Sequence, residues 1–235
     1  MNDHNIDDLF HRSGESRPVD PALLDRISQS MAASMQPVQP IAPPWIQAAI
    51  VLLLAATVAV VSAAALGLDG FHKLDTGEMS VIFPALIAFS WLAALLSASA
   101  MAPGSRRWIN PALFLPLAIA GWIAVDVLLF HDYQLDFFVP QGIPCLRAGT
   151  IVAIPAGIAS WLILRRGFAV HPAAAGLAAG TLAGLAGVIM LELHCPNQNA
   201  MHIMVWHTAV IPVAALAAAA TANFSPRRAL PNRHA

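Results

Sequence analysis

Six runs of about 20 apolar residues, each closed by a short polar or Pro/Gly-bearing turn, set the limits on how this chain can fold. An α-helix rises about 1.5 Å per residue and the hydrocarbon of a bilayer is about 30 Å thick, so a run of this length crosses it once. The runs are Trp45 to Leu68, Val81 to Ala102, Ile109 to Phe130, Leu146 to Leu164, Ala173 to Leu193 and Ile203 to Ala222. Lipid offers nothing to an unpaired backbone amide, so each run must satisfy its own hydrogen bonds as a helix. The expected fold is therefore all-α, a polytopic membrane protein with six transmembrane helices and a short helical N-terminal segment. Composition agrees: 58% of the residues are hydrophobic and 11% charged, whereas a soluble domain carries about 25% charged residues.

Three regions follow: a polar segment over 1–44, the membrane domain over 45–222 and a tail over 223–235. The first run follows a long acidic segment and exceeds the apolar core of a signal peptide, so it is expected to be retained. Arginines indicate orientation. Arg106 and Arg107 follow the second run, Arg165 and Arg166 the fourth, and Arg227, Arg228 and Arg233 lie near the end, while the other connections hold only Lys73 and Arg147. Positive loops stay inside, which places both termini in the cytoplasm of a bacterial inner-membrane protein and the ends bearing Cys145 and Cys195 in the periplasm.

The N-terminal segment sets six acids against three arginines. Asp20 followed by Pro21 reads as a helix start, because Asp accepts from free amides and Pro needs no donor at the first helical position. Leu24, Ile27, Met31 and Met35 then recur every three to four residues and share one face. Ile6, Leu9 and Phe10 form a weaker apolar set, and PVQPIAPPW (37–45) reads as a stiff extended tether. So short a segment has no core of its own for the stripe, and its acidic character argues against lying on a membrane surface. A groove on a partner protein is the favoured destination.

Within the runs, Gly176, Gly180 and Gly184, followed by Gly187, predict a close helix contact. Pro84, Pro116, Pro155 and Pro212 predict kinks. Asp126 lies deep in the third run, where an ionisable group needs a partner; Arg147 and His207 stand at a similar depth and a salt bridge is the expected arrangement.

The stretch LELHCPNQNAMHIMVWH (191–207) gathers Glu192, His194, Cys195, His202 and His207. Cys145 and Cys195 flank a helical hairpin, just before the fourth run and just after the fifth, so they return to the same surface. Three outcomes stay open for them: a disulfide, a soft tetrahedral metal site completed by His202 or His194, or free thiols open to reversible oxidation. His202 and Trp206, four apart, share a helix face. His202 and His207, five apart, do not, so His207 is expected to point into the bundle as a hydrogen-bonded core histidine.

The acidic tail ending LLDRISQSMAASMQPVQPIAPPW, the cysteine in GIPCL and the run ELHCPNQNAMHIMVWHT together resemble the NrsF-like family of bacterial anti-sigma factors. The resemblance implies a protein that holds an extracytoplasmic-function (ECF) sigma factor at the inner membrane through its N-terminal segment, with no direct contact to nucleic acid. It also implies a response to heavy-metal or oxidative stress through a cysteine pair, which maps to Cys145 and Cys195. No cofactor is required on this reading, beyond transient capture of a heavy-metal ion. The segment MNDHNIDDLFHRSGESRPVD precedes the family-like tail and departs from the pattern. Two rival classes fit less well. A disulfide-exchange enzyme needs two cysteine pairs, and no HExxH or GxSxG is present for a hydrolase. A transporter is disfavoured by a single deep acid and no evident repeat.

Overall fold

A computed structural model describes residues 20–34, 42–101, 109–164 and 171–224. Among them every regular element is helical. α1 spans Pro21–Ser34, α2 Pro44–Leu66, α3 Thr76–Met101, α4 Pro111–Leu129, α5 Phe138–Leu164, α6 Pro172–His194 and α7 Ala200–Asn223. The last six are long and apolar enough to cross a membrane. The chain divides into two compact units, one up to Pro40 and one from Ile41.

In the first unit, the Asp20 carboxylate accepts from the Ala22 amide at 3.0 Å, and its carbonyl accepts from Leu23 and Leu24. The cap fixes the phase of α1, which leaves Leu23, Leu24, Ile27 and Met31 46–62% exposed. At about 100° per residue these four fall within an arc of about 100°. Leu23 joins the expected stripe. Met35 lies outside the described residues, as do Ile6, Leu9 and Phe10, the arginines at 106–107, 165–166 and beyond 224, and most of the tether.

In the second unit, α6 is the central helix. It is buried almost all round, from Ala175 to Glu192, and packs against α2, α3, α4, α5 and α7. Its small residues make this possible. A Cβ on Gly176 would lie 2.7 Å from the Ala218 carbonyl oxygen, on Gly180 2.6 Å from that of Ala214, and on Gly184 2.6 Å from Ile211 Cα. These are backbone atoms of α7, so the expected glycine face meets that helix along three turns. Gly187 instead faces α5, at the Gly149 carbonyl. The outer helices bury one face and leave the other apolar and exposed; α2 turns Ala48, Val51, Ala55, Ala59 and Ala63 inward.

α5 starts at Phe138, eight residues before the boundary expected at Leu146. Pro140, Gly142 and Pro144 made FVPQGIPC read as a turn. Pro140, however, lies in the first turn, where no intrahelical donor is needed, and only Pro144 removes an interior bond. Cys145 is consequently a helical residue rather than a loop residue.

Candidate functional site: a cysteine and histidine cluster

Three connections meet at one end of the bundle. α2 ends at Gly67, whose φ of +110° suits a residue without a Cβ. The loop that follows runs across the end of α6, where the Gly70 and Phe71 amides donate to the carbonyls of His194 and Leu193 at 3.1 and 2.9 Å. These bonds satisfy helix-terminal carbonyls that have no partner within the helix. A Cβ at residue 70 would sit 2.7 Å from the carbonyl oxygens of Glu192 and Cys195, so only glycine permits the approach. His194 Nδ1 lies 3.0 Å from the Gly67 carbonyl oxygen. His194 thus ties loop to helix and stands apart from the cysteines. From the connection before α5, the Asp132 carbonyl accepts the Ala200 amide at 2.7 Å.

Cys195 caps α6 and is buried; Cys145, half-buried, projects from the second turn of α5. Their sulfurs are 3.5 Å apart and not bonded. The hairpin returns both residues to one end of the bundle, as its connectivity implies, and there they touch. Contact with Cys145 and then burial push the Cys195 thiol above the usual thiol range, opposed by His202 and His207. A raised pKa means little thiolate at pH 7. Alkylation of reduced Cys195 is accordingly expected to accelerate steadily from pH 7 to pH 9, since the thiolate is the nucleophile. A flat profile measured by mass spectrometry would contradict this.

The histidines arrive by an irregular turn. Asn199 caps α7, its side chain accepting from the His202 amide at 3.1 Å. Ile203–His207 then form a π-helical turn rather than an α-helical one. Bonds from residue i to i+5 place residues five apart above one another. The two rings accordingly stand 5.3 Å apart, nearly perpendicular. The expectation that His202 and His207 occupy different faces rested on an α-helical period, and the π turn overturns it. His202 Nε2 lies 3.6 Å from Cys195 Sγ. His207 is 1% exposed and donates from Nδ1 to Glu192 Oε1 at 2.8 Å. It is a hydrogen-bonded core histidine, as expected, and at the same time a member of the cluster. Its Nε2 has no hydrogen-bond partner among the described residues.

One donor atom from each of Cys145, Cys195, His202 and His207 fits within 4.8 Å of every other, so the cluster could hold a metal ion. Trp206 leaves the histidine side and packs on α5. Its ring lies tilted against Phe138, with the centroids 5.3 Å apart, and fills the space that a Cβ on Gly142 would need. Gly142, one turn before Cys145, was not singled out from sequence, nor was Asn199; Asn199 could have been found by the helix-cap rule.

Asp126 is fully buried, and neither carboxylate oxygen has a hydrogen-bond partner among the described residues. Arg147 is exposed, so the anticipated salt bridge between them is absent. The charges acting on Asp126 are those of Glu192 and His207. Arg147 was placed at the start of the fourth run; the longer α5 puts it in the third turn, facing outward.

Six helices long and apolar enough to cross a membrane, with a Cys2His2 cluster at one end of their bundle, point to a membrane protein whose cluster could hold a metal ion. Residues 31–227 match the family described as NrsF, negative regulator of sigma F, and the chain belongs to that family. It is thus a negative regulator of a sigma factor. The match includes both cysteines and both histidines but begins at Met31, so Leu24 and Ile27 precede it. No curated protein and no solved structure matches the chain.

Proposed function

We propose that the chain is an anti-sigma factor that holds an ECF sigma factor at the bacterial inner membrane and releases it when heavy metal or oxidant reaches Cys145 and Cys195. The observation that carries this reading is the pair of sulfurs 3.5 Å apart at the end of a bundle belonging to a sigma-regulator family. On this reading residues 1–44 and 223–235 are cytoplasmic, 45–222 form the membrane domain and the thiols face the periplasm. The apolar face of α1, with Leu24, Ile27, Met31 and Met35, enters a groove on the sigma factor, while the acids of the segment offset basic surface that would otherwise meet DNA or polymerase. Oxidation or metal capture favours a second packing of α5 to α7, and the difference in affinity between the two packings sets the extent of release. An enzyme is less well supported, because the Glu192 carboxylate is engaged by His207 and buried, not presented to a substrate.

The test is a chromosomal double variant, Cys145→Ser with Cys195→Ser, assayed with a reporter for the sigma factor. Repression in unstressed cells should be retained while induction by cadmium, chromate or peroxide falls to the uninduced level. Unaltered induction would remove the sensor role.

A further inference from the structure

From the geometry of the cluster we infer that Cys145, Cys195, His202 and His207 form a closed four-ligand site for a divalent ion of the zinc class, bound in the resting protein and expelled when the two sulfurs join. The inference rests on the proposed thiol sensor for its consequence in cells, but not for the binding itself.

Four observations support it. Tetrahedral bonds of about 2.3 Å to sulfur and about 2.0 to 2.1 Å to nitrogen put two sulfurs about 3.8 Å apart and a sulfur and a nitrogen about 3.6 Å apart. Two of the six edges are close to these values, 3.5 Å for Cys145 to Cys195 and 3.6 Å for Cys195 to His202, and all six lie within 4.8 Å, so that a small inward movement of the ligands closes the set. One of the two histidines has its second shell in place: Glu192 takes the Nδ1 proton of His207, which fixes the ring and leaves Nε2, buried and unpartnered, as its remaining donor atom, while His202 Nδ1 has no partner among the described residues. A carboxylate behind a ligating histidine is the usual arrangement at zinc. The ligand charges also balance. Two thiolates and a divalent ion sum to zero at a site where three of the four ligands are 4% exposed or less, and the Glu192 carboxylate behind His207 leaves one negative charge, whereas a monovalent ion would leave two, which burial penalises further. Finally, there is a way in. A pocket lined by Asp132, Asp136, Gln141 and Asn197 has His202 in its wall, so two carboxylates stand where a cation would enter.

Metal binding and disulfide formation use the same sulfurs and exclude each other. A peroxide takes two electrons from the two thiolates; one S–S bond forms, the O–O bond breaks, and the oxygens leave as two waters after uptake of two protons. The site then has two ligands and the ion departs. Cadmium, a softer ion, competes for the two thiolates, so metal capture in the proposed function is displacement of the resident ion from the four-ligand set rather than filling of an empty site.

The experiment uses the full-length protein in detergent, reduced, stripped of metal and titrated with cobalt(II). We expect saturation at one ion per chain, with the d–d absorption of tetrahedral cobalt and a thiolate charge-transfer band. Oxidation of the same sample with diamide should abolish both signals, and reduction should restore them. Glu192→Gln should weaken binding by about 10- to 100-fold and His207→Ala, which removes a ligand, by at least as much, while the Cys145–Cys195 disulfide still forms. An octahedral spectrum, no binding by reduced wild type, or wild-type affinity in both variants would overturn the inference. If cobalt fails to bind while cells still lose induction in the double serine variant, the site is refuted and the thiol sensor stands. If cobalt binds as described and induction is unaltered in that variant, the reverse holds.

Discussion

Replacing Leu24 and Ile27 together by Asp is expected to abolish capture of the sigma factor, with affinity falling at least about 100-fold. Burying an aliphatic side chain of this size contributes about 1.5 to 3 kcal/mol, so losing two removes about 3 kcal/mol or more before the cost of burying two carboxylates is added. Every 1.4 kcal/mol is tenfold in affinity. The fold of the chain should be unaffected, because both side chains are about half exposed on α1 and belong to a unit separate from the bundle. Co-purification from membranes, followed by titration with the purified sigma factor, measures the effect. Unchanged affinity would show that the partner grips another part of the chain, the family-matched residues beyond Met31 being the first alternative.

The second large effect concerns the centre of the bundle. Gly180→Leu should destabilise the protein by about 1 to 3 kcal/mol or more, the usual cost of overpacking a filled core. Its Cβ alone would come within 2.6 Å of the Ala214 carbonyl oxygen and of Ala215 Cα. Backbone atoms cannot rotate aside, so α6 and α7 would have to separate along their length. Gly157→Ala provides the contrast. There the new methyl would lie 3.6 Å from the Ala183 Cβ, an ordinary contact, and removing a helical glycine is worth about 0.5 to 1 kcal/mol. Thermal unfolding in detergent should therefore place Gly180→Leu well below wild type and Gly157→Ala at or slightly above it. Equal midpoints for the two variants would mean that the glycine face does not hold the helices together.

The helices themselves were legible because a bilayer demands about 20 apolar residues in a row, and the chain supplies six such runs. The start of α1 was legible for a local reason, the pairing of Asp20 with Pro21. That Cys145 and Cys195 lie on the same side followed from connectivity, since the hairpin between them returns the chain there; their contact at 3.5 Å is decided by packing. What could not be read were features decided by contacts between distant residues. Glu192 and His207 are 15 positions apart, and nothing local marks them as a pair. The early start of α5 was hidden by Pro140, Gly142 and Pro144, which signal a turn in water; in the helix Pro140 lies in the first turn, Gly142 makes room for Trp206, and only Pro144 costs an interior bond. The π turn was missed because a regular α-helical period was assumed, and that assumption separated the two histidines. Asp126 was legible in part: of the two cations expected near it, His207 acts on it and Arg147 does not, and nothing local announced the second acid, Glu192, that also acts on it.

The extra residue held in the Ile203–His207 turn gives the sixth crossing helix a step in its winding. Were the turn to rewind to α-helix, everything downstream would swing by about 100° about the helix axis and shift by about 1.5 Å. Ile211, Ala215 and Ala218 would then leave the glycines that receive them on α6. The seating of small residues deep in the bundle thus clamps the angular setting of two imidazoles more than a turn away, and a rotation at either place must be felt at the other.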